Sequence, residues 1–242
     1  MSGNWWQLKT WTRDKTKPED LAHLLALYDG EIRYTDGQVA RILERLAARG
    51  LDQTTLVAVT SDHGEEFLDH GGWEHQRTLY EEMVRIPLLF AGPGVEAGRR
   101  VPSQVSLLDL APTLLDWAGL PALPTQRGRS LLRPLDEREA YGETDHGLPD
   151  TRKLFLRGGA AKWKAILTFD RKTDAAVSEE WYDLGSDPRE TRSVPPPESA
   201  ATLVRARLGK RWQEARQQGQ GGRPVDLSPE QMEQLRALGY VQ

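Results

Sequence analysis

TLVAVTSDHGEEFLDHGGWEHQRTLYEEMVRIPLLF, residues 55–90, decides how this 242-residue chain is read. A β-forming apolar run from Leu56 to Val59 stops at Thr60-Ser61, and Asp62-His63-Gly64-Glu65 follows at once. In open α/β sheets, ligand chemistry gathers at the carboxyl ends of strands, where the backbone turns away and side chains point into a crevice. Adjacent residues on an extended strand face opposite sides of the sheet, so Asp62 and His63 can share one ion only where the strand has ended. Gly64 permits that turn because it has no Cβ. A carboxylate oxygen beside an imidazole nitrogen then makes a pair of divalent-metal ligands. A second reading stays open beside it, in which Asp62 caps the following segment and His63 is an ordinary loop histidine.

The loop that follows holds Glu65, Glu66, Asp69, His70, Glu74 and His75, and three of the five histidines of the chain fall between positions 63 and 75. A merely solvated loop has no need of Trp73 and three histidines beside a strand end, so functional use of this loop is expected. Upstream, Leu21, Leu24, Leu25, Tyr28, Ile32, Val39, Ile42, Leu43 and Leu46 recur at helical spacing, predicting one long helix or two in succession that end at Gly50. Downstream, a short helix is expected over 78–84 and a buried strand over 86–91. Pro87 belongs at the beginning or edge of that strand because it cannot donate to a ladder. A turn at Gly92-Pro93-Gly94 and a helix over 105–118 follow, with Ser106 and Asp109 as candidate N-caps and Gly119 as C-cap. Helix, loop, strand and ligand-bearing loop in that order make an α/β domain.

Residues 120–138, rich in Pro, Arg and Leu, read as a surface linker. Beyond them the pattern changes to short strands at 153–157, 163–169 and 180–184, an antiparallel meander. A helix over 200–216 is expected to pack Leu203, Leu208 and Trp212 on that meander, and 217–223 reads as a flexible Gly/Gln stretch. Ser228-Pro229 starts a last helix running to about Leu238. The chain thus divides into a Trp-rich segment at 1–18 (Trp5, Trp6, Trp11), an α/β portion at 19–138 and a small α+β portion at 139–242.

Composition narrows the function classes. A net charge of −4 without a block of five like charges argues against a nucleic-acid partner. With no cysteine, disulfides, thiolate metal sites and a cysteine nucleophile are excluded from this chain. No apolar stretch approaches the roughly 18 residues of a transmembrane segment, and residues 1–20 lack the apolar core of a signal peptide. Cellular location is left open.

Six stretches together resemble the sulfatases of the alkaline phosphatase superfamily: LYDGEIRYTDGQVARILERL (27–46), TLVAVTSDHGEEFLDHGG (55–72), TLYEEMVRIPLLFAGPG (78–94), VSLLDLAPTLLDWAGLP (105–121), EEWYDLGSDPRE (179–190) and LSPEQMEQLRALGYV (227–241). The resemblance implies part of an α/β/α sandwich with a mixed sheet, followed by a small C-terminal antiparallel β subdomain with helices. It implies a divalent metal ion held in part by Asp62 and His63, calcium foremost, with manganese or zinc open because His63 adds a nitrogen. It also implies a sugar or aryl sulfate ester as substrate, and His75 at the sulfate or its leaving oxygen, where an imidazolium can act as general acid. Asp187 and Glu190 match a structural signature to which no chemistry is assigned.

The sequence departs from that family in what it does not contain. The first pair of metal-binding aspartates and the C/S-x-P-x-R motif that yields the formylglycine nucleophile are missing. Ser193-Val194-Pro195 is followed by Pro196-Pro197, and Ser186-Asp187-Pro188 meets Arg189 one place early. Asp62 and His63 supply two to three donor atoms where calcium takes six to eight. The expectation is therefore the C-terminal half of a sulfuric ester hydrolase, inactive by itself and needing an N-terminal half as partner. The alternatives are a phosphodiesterase or phosphonate monoester hydrolase of the same superfamily, and a non-catalytic binding protein or remnant.

Overall fold

Helix α1 (Pro18–Ala48) is one continuous element, with Pro18 in its first turn and Glu19 and Asp20 at its positive end. In this computed structural model, which describes residues 16–75, 77–145, 148, 150–158, 162–196, 198–219 and 227–237, the three tryptophans of the N-terminal segment lie outside the described residues. No residue of α1 is buried. Tyr28 meets Phe67 edge-on with ring centroids 5.0 Å apart.

Strand β1 (Val57–Thr60) pairs antiparallel with β4 (Leu88–Ala91), Val57 opposite Ala91 and Thr60 opposite Leu88. Pro87 stands just ahead of β4, where its missing N–H costs no ladder bond, and its carbonyl accepts from Thr60 Oγ1 at 2.8 Å. Gly92 is required after β4: its φ is 131°, and a Cβ there would lie 2.4 Å from the Thr55 carbonyl oxygen. The strand pair described is antiparallel; a mixed sheet needs further strands beside it. Between β1 and β4 lie a small hairpin, β2 (Glu66–Phe67) with β3 (Trp73–Glu74), and a single-turn helix α2 (Glu81–Val84). The helix expected from Thr78 begins three residues late because the Thr78 hydroxyl is committed to Glu66 Oε2 at 2.9 Å and Tyr80 is extended.

The helix expected over 105–118 starts as a 3-10 turn (Leu107–Asp109) before α3 (Leu110–Trp117). Ser106 and Asp109 form a reciprocal cap, Asp109 Oδ2 accepting from Ser106 N at 2.8 Å.

The C-terminal sheet is a four-stranded antiparallel meander of β5 (Ala140–Thr144), β6 (Thr151–Arg157), β7 (Trp163–Asp170) and β8 (Ala176–Asp183). Strand β5 went unread in the sequence. Its Gly142 crosses the Phe155 ring, where a Cβ would lie 2.4 Å from a ring carbon. Helix α4 (Glu198–Gly219) covers one face, packing Ala201, Val204, Leu208 and Trp212 against Leu154, Leu156, Ala165, Leu167, Phe169 and Trp181. Leu203, expected in that stripe, is 48% exposed. The buried positions recur every three or four residues from Ala201, and Leu203 falls on the opposite face. Gln217–Gly219, expected as flexible, continue α4. A last helix, α5, spans Pro229–Ala237. The other face of the sheet, with Phe155, Ile166, Tyr182 and Leu184, packs on Leu79, Tyr80 and Val84 and so joins the meander to the segment after the histidine-rich loop.

Candidate metal and leaving-group site

Asp62 and His63 lie just past the end of β1, as the change from apolar run to Asp-His-Gly predicts. Asp62 Oδ1 accepts the His63 N–H at 3.0 Å, and His63 Nδ1 lies 2.7 Å from the Gly64 carbonyl oxygen. A carbonyl can only accept, so Nδ1 carries the proton and Nε2 presents its lone pair. That Nε2 lies 3.7 Å from Asp62 Oδ2. Two metal–ligand bonds of about 2.0–2.5 Å can bridge such a gap. The Asp62 carboxylate faces outward, 83% exposed, and the His63 ring is 39% exposed.

The turn rests on α2. Gly64 N donates to the Met83 carbonyl at 2.9 Å, and a Cβ on Gly64 would sit 1.8 Å from the Glu82 carbonyl oxygen. Glycine is thus needed for close approach of two backbones. The ring of His75 stacks on that of His63 with centroids 4.3 Å apart and planes at 24°. His75 Nδ1 lies 3.1 Å from Glu65 Oε2 and 3.4 Å from Oε1, which commits its Nδ1 proton and leaves Nε2 as the working nitrogen. The three residues singled out from sequence are therefore neighbours.

The donor set fits a divalent ion in kind and is short in number. A carboxylate and an imidazole of fixed tautomer suit such an ion. Among the described residues, however, no group of three or more Asp, Glu or His side chains is placed to hold one. A cleft of about 1260 Å³ opens beside the pair, with Asp62, His63, Arg85, Glu143, Arg157 and Lys162 among its walls. It has charges of both signs and runs from the end of β1 to the C-terminal sheet.

Two residues named in this loop from the sequence, but given no role of their own there, build it. Glu66, 2% exposed, accepts from Gly72 N at 2.7 Å, His70 N at 3.2 Å and Thr78 Oγ1 at 2.9 Å. His70 stands between Glu82 Oε1, 2.7 Å from Nδ1, and the Glu190 carbonyl oxygen, 3.1 Å from Nε2, with its ring stacked 3.6 Å from Tyr80. Both ring nitrogens face acceptors, so the ring is an imidazolium. Burial works against that charge, but Glu82, through hydrogen bond and charge, and the Glu190 carbonyl outweigh it and raise the pKa to about 8. The histidine cluster was visible in the sequence; partners 12 and 120 residues away were not.

Residues 4–120 match the sulfatase family model. Over 193 residues the chain is 33% identical to arylsulfatase K of Mus musculus, a match covering 74% of this chain and 34% of that protein. It thus spans about a third of the length of the curated relatives it matches. Among solved structures, a 2-O GAG sulfatase superposes with a TM-score of 0.69 at 22% identity, over 93% of this chain and 49% of the other. A protein solved in complex with its substrate D-glucosamine-2-N,6-O-disulfate matches with a TM-score of 0.59 at 25% identity, over 92% and 55% of the two chains. The fold likeness extends to a phosphonate monoester hydrolase from Silicibacter pomeroyi, with a TM-score of 0.59 at 24% identity over 85% and 43%.

Proposed function

The chain belongs to the sulfatase family, and from that premise we propose that it is the C-terminal part of a sulfuric ester hydrolase acting on a sulfated sugar or an aryl sulfate. One observation carries the reading: Asp62 Oδ2 and His63 Nε2 stand 3.7 Å apart at a strand end, with the His75 ring stacked on His63. Asp62 and His63 would hold a divalent ion, which would supply Lewis-acid polarisation of a sulfate oxygen. Carboxylate oxygens favour calcium, and the imidazole moves the preference towards manganese or zinc. His75, its Nδ1–H donated in a hydrogen bond to Glu65, offers Nε2 to hydrogen-bond or protonate the departing oxygen.

No C/S-x-P-x-R nucleophile motif occurs in these 242 residues, and among the described residues no third Asp, Glu or His side chain joins Asp62 and His63 to hold an ion. In this reading the nucleophile and the further ligands come from an N-terminal half, continuous with this chain or separate from it, and the 242 residues alone are inactive. The relatives' greater length supports this division. The neighbour bound to a glucosamine disulfate supports a sugar substrate, and the arylsulfatase relative supports an ester sulfate more generally.

The test is to join or co-express the chain with an N-terminal half carrying C/S-x-P-x-R and to assay 4-nitrophenyl sulfate and a sulfated glucosamine with added metal. Metal-dependent sulfate release, lost in Asp62→Ala and His63→Ala, is the expected result. Preferential turnover of a phosphonate monoester would assign the chain to the other branch of the superfamily. Sulfate release by the 242 residues alone would overturn the division into halves, and ligand binding without turnover would favour a non-catalytic protein.

A further inference from the structure

We propose that the buried Lys164–Glu190 ion pair of the C-terminal sheet positions the Asp62–His63 turn, acting through α2. Lys164, on β7, is fully buried, with Nζ 2.9 Å from Glu190 Oε1 and 3.2 Å from Glu81 Oε1. The other carboxylate oxygen, Glu190 Oε2, accepts the backbone N–H of Glu81 at 2.5 Å. It supplies the cap that α2 lacks locally, since the Tyr80 side chain at the N-cap position makes no capping bond. A helix of four residues does not hold itself together and exists only where tertiary contacts fix it.

The far end of α2 carries the metal-ligand turn. Met83 O accepts Gly64 N at 2.9 Å, and the Glu82 carbonyl fills the space where a Gly64 Cβ would be. A displacement at Glu190 therefore reaches Gly64 across a single helical turn. His70 adds a second strap, bonded to Glu82 on α2 and to the Glu190 carbonyl. Glu190 itself holds a left-handed backbone, φ 55°, a conformation that a non-glycine residue keeps only where its surroundings fix it.

The pair contributes geometry more than stability. Removing two charges from water costs about as much as their mutual attraction recovers, so a buried ion pair adds little net stability while pinning both partners in place. Burial pushes the Glu190 carboxyl above its ordinary range, with Lys164 opposing the shift in part. The purpose assigned to this positioning rests on the metal role proposed for Asp62 and His63. The placement itself can be read without any metal.

The test uses the whole 242-residue chain and two NMR readouts: hydrogen exchange of the Gly64 amide and the imidazole nitrogen shifts of His63. In Glu190→Ala, Gly64 exchange rises by at least ~10-fold and His63 moves from the Nδ1–H tautomer to a mixture, while β7 amides such as Leu167 change less than ~2-fold. Glu190→Gln, which keeps an acceptor for the Glu81 N–H, restores most of the Gly64 protection. Unchanged Gly64 and His63 signals in folded Glu190→Ala overturn the proposal. So does a uniform loss of protection across β6–β8 in both variants, which assigns the pair to stability alone. If Glu190→Ala does not fold, Glu190→Gln and Lys164→Met decide on the same readouts, and failure of all three to fold also overturns it. Sulfate release by the joined halves that does not depend on metal sinks the metal reading and leaves these outcomes intact.

Discussion

His70 Nε2 lies 3.1 Å from the backbone carbonyl of Glu190, a bond that closes a span of 120 residues. With Glu82 on its other nitrogen, the ring holds its proton more tightly in the folded chain than in the unfolded one. The folded pKa is raised from 6.5 to about 8, so the added stability is fully present below pH ~6.5 and is lost as pH rises through about 8. Because the ring is only partly shielded from water, the effect is discounted to roughly 1 kcal/mol. Urea midpoints between pH 6 and 9 should fall across that window, and His70→Gln should flatten the fall.

Gly64 and Gly30 are expected to respond to alanine in opposite directions. A Cβ at Gly64 meets the Glu82 carbonyl at 1.8 Å, so Gly64→Ala must part α2 from the turn, at about 1–3 kcal/mol. Gly30 lies inside α1 with nothing within 4 Å, and Gly30→Ala should stabilise by about 0.5–1 kcal/mol. Chemical denaturation of the two variants checks both signs.

The role of His75 predicts a dependence on the leaving group. With the N-terminal half supplied, His75→Ala should lower kcat on an alkyl or sugar sulfate by ~10²–10⁴-fold. The loss on 4-nitrophenyl sulfate, whose leaving group departs without a proton, should be far smaller. Equal losses on both substrates would return His75 to a structural role.

Helix α4 offers a check on the C-terminal core. Leu208 is fully buried against the meander and Leu203 is 48% exposed. Leu208→Ala should cost about 2–5 kcal/mol and Leu203→Ala within about 0.5 kcal/mol, measured by thermal or urea unfolding.

What the sequence disclosed follows the range of the interactions involved. Asp62 and His63 stood out because a strand end followed by Asp-His-Gly is a local signal, His75 stood out through the family resemblance, and the structure brings all three side by side. Their arrangement was legible only in part: nothing near His75 in sequence marks Glu65 rather than Glu66 as its partner. The meander was readable from alternation, yet β5 was not, since Gly142 breaks its pattern where Phe155 needs room. Helix α4 was found, but Leu203 was placed on the wrong face because its spacing to Leu208 is neither three nor four residues. Glu190 was matched only as a signature, and its work on Lys164 and Glu81 depends on contacts more than 20 residues distant.

Helix α1, 31 residues and about 46 Å long, carries Leu27, Ile32 and Ile42 at more than half exposure, whereas most of the buried apolar side chains among the described residues lie after residue 139. Synthesis runs from the N- to the C-terminus, so α1 leaves the ribosome ahead of the sheet that carries the buried core. Throughout that interval the emerging chain offers apolar side chains to chaperones and proteases. A surface that packs on α1 shortens that exposure, and no improvement in the meander does so.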